Sequence, residues 1–357
     1  MSTWNLPIGA AFDRSPDPVF LLSDNQIGYL NPAAAALFPS LSVGDAPPEE
    51  FSLLAPDCAA SLTLNGRGWS ALLWEAGEAQ LIRLSAADES TILPDRRIPF
   101  LVRQLRSPIS ALIYCNESVE HTLSEEQTTK MGRTLARSHK AQARLLRAMR
   151  VLDLVSLPEG DQPYDFHLQA VDLTGLLDET VRQLTGPLNA AGCTISFQNN
   201  TRNLCAHCDD QLFQTLVYHL VSNALRATGQ GGHIALRLER RKDLALISVE
   251  DNGPSMTSEQ LAALFAPAEG GESLSDPNHG LELGMTAARK IAQLHGGSLV
   301  LTNRPDGGVR ATFSLKLCSP GEPMAFHSPR LADSGNGLPL VLRELSDVLP
   351  DSCYLPE

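Results

Sequence analysis

The stretch from Leu101 to Leu157 constrains this chain most. Leu101, Leu105, Pro108, Leu112, Cys115 and Val119 recur at alternating steps of four and three, which places them along one seam of a helix. The pattern breaks at HTLSEEQ, where Ser124 and Gln127 have the spacing of a capping box. A second seam follows through Met131, Leu135, Ser138, Gln142, Leu145, Met149 and Leu152, polar in its middle. Two helices joined by a short turn have too little core to stand alone. Pairing two such hairpins into a four-helix bundle supplies the missing core, so the pattern predicts a homodimer. An intramolecular coiled coil would bury less surface.

The flanks read differently. Residues 8–88 form a small mixed domain: PDPVFLLSD and NQIGYLN are short apolar runs separated by turn residues, as in a hairpin. Asn31-Pro32 before AAAALF marks a short helix starting at a proline, and WSALLWEAG and AQLIRLSA alternate as two further strands. Residues 89–100 contain the Pro-bearing joint ILPDRRIPF, a linker. From 163 to 317 helical runs (VDLTGLLDETVRQLTGPLNAAG, DDQLFQTLVYHLVSNALRAT, GMTAARKIAQLHGG) interleave with strand-like ones such as CTISFQNN, GHIALRLER, DLALISVEDNG, SLVLTNR and VRATFSLKL. That order fits an α/β sandwich with one sheet face covered by helices. Residues 318–357 hold Gly- and Pro-rich sequence, then the short amphipathic run LPLVLRELSDVLP. This extension is read as surface packing against its own chain, with a docking helix or a strand-and-helix extension covering the ATPase-like domain as the alternatives.

Charge and cysteines narrow the class of partner. A formal charge of −13 speaks against nucleic acid or an anionic membrane. No apolar run approaches the roughly 18–20 residues needed to span a bilayer, and the first residues lack the basic start and apolar core of a signal peptide. Seven scattered cysteines fit reduced thiols in the cytoplasm. Cys205-Ala-His207-Cys208 is the one cluster with metal-ligand spacing, but no second cluster follows, and a short strand entering a helix is the preferred reading.

Several motifs carry a family likeness. SPDPVFLLSDNQIGYLNPAAAALF resembles the strand–strand–helix start of a PAS sensor domain, which allows a small-molecule ligand or a purely structural role. RQLRSPI, at 103–109, resembles the phosphoacceptor box of sensor histidine kinases, usually His-Glu-Leu-Arg-Thr-Pro-Leu, with Arg103 in the histidine's place. Four blocks in 163–317 resemble the ATPase domain these kinases share with gyrase and Hsp90, and their order makes the likeness strong as a set. In the first, His219-Leu-Val-Ser-Asn223-Ala-Leu-Arg226, the likeness gives Asn223 the Mg²⁺ ligand's place and Arg226 the phosphate-facing place; His219 stands where Asn or an acid is usual. A single amide suits Mg²⁺, which keeps several of its waters. In the second, Asp251-Asn-Gly253-Pro-Ser255, Asp251 takes the adenine-selecting place, and Ser255 replaces a glycine. The third, Leu264-Phe265 and the following stretch to Gly280, corresponds to the lid over ATP; it carries Glu269, Glu272 and Asp276 and no Lys or Arg. The fourth, Gly280-Leu-Glu282-Leu-Gly284, keeps two of three glycines and puts Glu282 where phosphate should approach backbone amides. The fold class implied is a multidomain α+β chain: a PAS-like α/β domain, a helical hairpin forming a dimeric four-helix bundle, and an α/β sandwich of the histidine-kinase ATPase type.

These departures set the functional expectation. A guanidinium is protonated at any physiological pH and cannot be the nucleophile that a neutral imidazole is. Gln104 stands where the neighbouring acid is usual. Autophosphorylation is expected to be lost, with ATP and Mg²⁺ bound weakly or not at all. The chain is expected to act as a dimeric scaffold for a response regulator or partner kinase. Two alternatives stand beside this: an active kinase using His121 or His139, and a response-regulator phosphatase working through Gln104 and Ser107.

Overall fold

The computed structural model describes residues 12–13, 15–55, 58–76, 79–86, 98–157, 161–163, 166–201, 204–263, 279–318 and 338–355. The N-terminal part is a five-stranded antiparallel sheet: β1 (Val19–Ser23), β2 (Gln26–Leu30), β3 (Ala59–Leu64), β4 (Arg67–Ala76) and β5 (Ala79–Ala86). Its tight turns follow from residue type. Asp24 and Asn25 between β1 and β2, and Asn65-Gly66 between β3 and β4, all have positive φ, the conformation that two-residue hairpin turns require. Strand β3, absent from the sequence reading, is the strand that this second turn introduces.

The short helix α1 (Pro32–Leu37) packs on the sheet. Asn31 caps it: its Oδ1 accepts from Ala34 N and from Val19 N, each at 2.9 Å, while its Nδ2 donates to Asp17 O at 2.9 Å. This fully buried amide is thereby satisfied, as a buried polar group must be. Phe20, Phe51, Leu62, Ile82 and Leu84 form the core beneath it.

Two long antiparallel helices follow, α2 (Ile98–Thr122) and α3 (Glu125–Val155). Ser124 and Gln127 form the capping box that starts α3, with Gln127 Oε1 accepting from Ser124 N at 2.9 Å. The helices meet through Val102, Ile109, Ile113 and Met149. The seam through Leu105, Leu112 and Val119 lies on another face: Leu105 is 48% and Leu112 59% exposed. The seam anticipated from spacing is thus not the one that closes the hairpin within the chain.

The C-terminal part holds β6 (Gln169–Asp172), α4 (Leu173–Ala190), β7 (Thr194–Asn199), β8 (Cys205–Cys208), α5 (Asp210–Thr228), β9 (His233–Arg241), β10 (Leu244–Asp251), α6 (Ser258–Ala263), α7 (His279–Leu294), β11 (Leu299–Asn303) and β12 (Val309–Lys316). Helices α4, α5 and α7 cover one face of the sheet around Leu176, Leu216, Phe213, Ile247, Ile291 and Phe313. Helix α5 is buried along nearly its whole length. Cys205-Ala-His207-Cys208 is strand β8, paired with β6. Among the described residues, no group of three or more His, Cys, Asp or Glu could hold a metal ion.

The two sheets are continuous. Strand β3 pairs antiparallel with β11, opposing Ala60 to Val300, so one ten-stranded sheet runs through both parts. Thr63 reinforces the junction, its Oγ1 donating to Gly297 O at 2.5 Å and its N–H to Ser298 Oγ at 3.0 Å. Arg241 Nη1 also donates to Ser52 O at 2.7 Å.

The end of the chain returns to the centre of the molecule. Helix α8 (Leu340–Glu344) and a 3₁₀ turn (Asp351–Tyr354) bury Leu340, Val341, Leu345, Leu349 and Tyr354 in the same core as α3, α5 and α7. Residues 338–355 are therefore an integral part of that core, beyond the surface packing expected of the extension.

Candidate nucleotide site

The second block sits where β10 ends. Asp251 is buried, and its Oδ1 accepts from Gly253 N at 2.9 Å and Val309 N at 3.3 Å. Burial pushes its carboxyl above the usual range, and those two N–H groups and Arg304 pull it back down. Arg304 Nη1 also donates to the carbonyl of Asp251 at 2.6 Å. The neighbouring Glu250, almost fully buried, is ion-paired with Arg237, Arg304 and Arg310. Two glycines make room for this corner. A Cβ on Gly253 would lie 3.0 Å from the carbonyl of Ala227 on α5, and one on Gly308 (φ +87°) only 2.1 Å from the carbonyl of Asp251. The loop after Gly253 is held by Asn303, whose side chain accepts from Met256 N at 2.9 Å and donates to Met256 O at 2.7 Å.

The first and fourth blocks come together. His219 and Asn223 are one turn apart on α5, and both meet the start of α7. Asn223 Nδ2 lies 3.0 Å from Met285 Sδ. A Cβ on Gly284 would stand 3.7 Å from His219 Nδ1 and 3.9 Å from Arg147 Nη2. Helix α7 begins at His279, so Gly280, Glu282 and Gly284 are residues of the helix itself, where a loop before a helix N-terminus was expected. Arg226 lies one turn beyond Asn223; burial and the repulsion of Arg147 lower its pKa, and Asp347 counters them. The expected lid, with Leu264, Phe265, Glu269, Glu272 and Asp276, lies outside the described residues.

Elements that the sequence reading did not connect with this site complete it. Arg147 reaches in from α3 and is bonded to Asp347, which Arg144 Nε also approaches at 3.2 Å. Glu344, on α8, has its Oε2 3.7 Å from His219 Nε2 and its Oε1 3.6 Å from Arg343 Nε. Both His219 and Glu344 are essentially inaccessible. Burial, with Arg147 and Arg150 nearby, lowers the His219 pKa to about 3, so the imidazole is neutral. Burial raises the pKa of Glu344 against the pull of Arg343, Arg150 and Arg147. Neither ring nitrogen of His219 and neither carboxylate oxygen of Glu344 has a hydrogen-bond partner among the described residues.

The phosphoacceptor-like box stands apart on α2. Val102 is buried, and Gln104, Leu105, Ser107 and Pro108 are exposed; Arg106 is ion-paired with Asp153 of α3. Arg103 occupies the turn between Val102 and these exposed residues. Of the two other histidines considered, His121 is exposed at the end of α2. His139 is engaged, its Nε2 2.8 Å from Glu120 Oε1 and its Nδ1 3.1 Å from Tyr354 O.

As a test of fit for ATP, the site divides. The Asp251 corner offers a buried acceptor beside two glycines that keep its wall thin. The Asn223–Arg226 side is covered, in this conformation, by the chain's own Arg147, Glu344 and Asp347.

Comparison with known proteins supports the likeness to the histidine-kinase ATPase domain. Residues 208–319 match the model of the histidine kinase-, DNA gyrase B- and HSP90-like ATPase family. The adaptive-response sensory kinase SasA of Synechococcus sp. (strain CC9902) is 25% identical over 248 residues, covering 67% of this chain and 62% of SasA. The sensor protein QseC of Salmonella typhimurium (strain LT2) is 29% identical over 217 residues, covering 59% of this chain and 45% of QseC. The chain thus spans less than two thirds of these relatives. Among solved structures, full-length ShkA in complex with AMPPNP superposes with a TM-score of 0.50 at 18% identity, covering 66% of this chain and 48% of ShkA, a likeness of fold. No helix among the described residues is long and apolar enough to cross a membrane. Residues 208–319 thus match the histidine kinase-, DNA gyrase B- and HSP90-like ATPase family, and the chain as a whole is similar to sensor histidine kinases.

Proposed function

We propose that this protein is a histidine-kinase-like signalling protein that has lost autophosphorylation and acts as a dimeric scaffold for a response regulator or a partner kinase. The observation that carries the reading is Arg103 at the phosphoacceptor position of α2. Its permanently charged guanidinium has no lone pair to attack a phosphoryl group, and Gln104 cannot take a proton as an acid's carboxylate would.

Further observations support the details. The ATPase-family domain implies ATP as its nucleotide; Asp251 and Gly253 suit adenine, and Asn223 suits Mg²⁺ through its amide oxygen. Glu282 in the place of the middle glycine of the fourth block is a departure from the family pattern that favours weak triphosphate binding. The open seam of Leu105, Leu112 and Val119, with Met131 and Leu145 of α3 also exposed, suits a second copy of the hairpin, giving a four-helix bundle. The five-stranded N-terminal sheet with one capped helix is consistent with a PAS-like module, and its continuity with the ATPase-type sheet offers a rigid path between them. A cytoplasmic location fits the free cysteines and the −13 charge.

The bundle face around Arg103 to Ser107, on which Gln104 and Ser107 are exposed, is the docking surface this reading assigns to the response regulator. Calorimetry of the full chain with a receiver domain from the same cell is expected to show binding that Ser107→Arg abolishes. Equal binding by the wild type and this variant refutes the assignment.

A further inference from the structure

Segment 338–355 lies over the part of the ATPase-type domain that the family likeness assigns to phosphates, and its chemistry matches what it covers. Helix α3 carries a basic stripe, Arg137, Lys140, Arg144 and Arg147, at helical spacings of three and four. Each faces an acid from the end of the chain. Lys140 Nζ is 2.9 Å from Asp351 Oδ1, and Arg137 Nε is 3.5 Å from Asp351 Oδ2. Arg144 and Arg147 share Asp347. Glu344 goes deepest, facing His219 and the charges of Arg147, Arg150 and Arg343. Gly284, at the nucleotide end of α7, looks onto His219 and Arg147, and Asp347 is near enough to Arg226 to influence its charge.

We propose that segment 338–355 is an internal occupant of the phosphate side of the nucleotide site, with Glu344 and Asp347 holding the cationic groups that a polyphosphate would otherwise engage. This rests on the reading of His219 to Arg226 and Gly280 to Gly284 as the phosphate-facing blocks. Besides Arg226 within the first block, the cations come from α3, outside those blocks, so the missing lid bases do not by themselves remove the charge needed to hold phosphates. Two carboxylates and a triphosphate cannot occupy the same arginines together. Nucleotide binding and docking of the segment are therefore mutually exclusive.

The docked state is built to be reversible. A buried ion pair repays its desolvation only when its remaining hydrogen-bonding capacity is satisfied, and here it is not. Both oxygens of Glu344, both ring nitrogens of His219, Ser222 Oγ, Ser346 Oγ and Arg343 Nε are buried without hydrogen-bond partners among the described residues. Each such atom carries a desolvation cost. Against it stands apolar burial of Leu340, Val341, Leu345, Leu349 and Tyr354. The segment is held by its apolar side while its polar side remains imperfectly matched, and an anion with more acceptors can displace that polar side.

The consequence is selective for the phosphates. A docked segment lowers the apparent affinity for ATP by the fraction of molecules in which the site is open, and leaves adenosine, which needs only the Asp251 corner, unaffected. The full-length variant Asp347→Asn, which releases Arg144 and Arg147, is to be compared with the wild type for binding of Mg-ATP and of adenosine by calorimetry. The expected result is ATP affinity improved by about tenfold or more, with adenosine affinity unchanged. Unchanged ATP affinity while adenosine still binds overturns the proposal and leaves the nucleotide-site reading in place. Binding of neither ligand by either protein overturns both.

A measurement on the wild type guards against misfolding of the variant. Hydrogen–deuterium exchange in residues 340–349 should accelerate when inorganic triphosphate or ATP is added, and adenosine should leave it unchanged. Exchange there that is indifferent to triphosphate at concentrations up to the millimolar range refutes the competition.

Discussion

Acidification should weaken the packing around α5 through one residue, His219. In the folded protein its imidazole is inaccessible, and burial plus the neighbouring Arg147 and Arg150 hold its pKa at about 3, against 6.5 for the free side chain. The lowered folded pKa fixes the sign. The contribution is fully present above pH 6.5 and is lost as pH falls from 6.5 towards 3, because over that range the exposed imidazole takes up a proton that the buried one refuses. From pH 7 to pH 5 the loss comes to about 2 kcal/mol, a large part of the margin of an ordinary domain. Glu344 works in the opposite direction: its raised pKa favours the docked form at low pH and disfavours it as pH rises through the folded value. A comparison with His219→Asn, the residue type usual at this place in the family, isolates the histidine. Native-state hydrogen exchange of the α5 amides, corrected for intrinsic rate at each pH, gives the opening free energy. The wild type should lose about 2 kcal/mol more than His219→Asn between pH 7 and pH 5. Equal losses would mean that His219 titrates normally and would refute its burial as a neutral group.

Two other outcomes follow from the same geometry. Gly308→Ala places a Cβ against the carbonyl of Asp251 at a positive φ, so it should cost roughly 1–3 kcal/mol of stability in thermal unfolding and weaken adenosine binding together with it. The double variant Leu105→Glu, Leu112→Glu puts like charges on the open seam of α2 and should convert the proposed dimer to a monomer in light scattering, while helix content by circular dichroism is retained; a dimer that persists argues for a different interface.

What could be read from the sequence was what is local. The start of α3 rests on Ser124 and Gln127, three residues apart, and the caps at Asn31 and Asp209 likewise couple a side chain to a backbone N–H within its own first turn. The ATPase-type blocks were legible because each is a short run and their order along the chain is itself information. Strand β3 was missed although Asn65-Gly66, the strongest short hairpin signal, announces it.

The helical seam shows a different limit. Spacing alone marks Leu105 and Leu112 as one apolar face, and also permits Val102, Ile109 and Ile113 as another. Only packing decides that the second face meets Met149 within the chain. The joining of β3 to β11 and the contact of Arg147 with Asp347 are not legible at all: the two charged residues lie 200 positions apart, and a lone acid in a short amphipathic run carries no sign of its partner. The spacing of Glu344, Asp347 and Asp351 by three and four, set against Arg137, Lys140, Arg144 and Arg147, was the available signal, and it acquires meaning only once α3 and the chain end are known to touch.

The central claim is that this histidine-kinase relative does not phosphorylate itself. Incubation of the purified full-length protein with radiolabelled Mg-ATP, followed by separation under alkaline conditions that preserve phosphohistidine, tests it most directly. The account predicts no label on the chain, including in Arg103→His, because that variant still has Gln104 beside the acceptor and Glu344 and Asp347 over the phosphate side. Acid-labile phosphate retained on the wild-type protein, at His121, His139 or elsewhere, would contradict it.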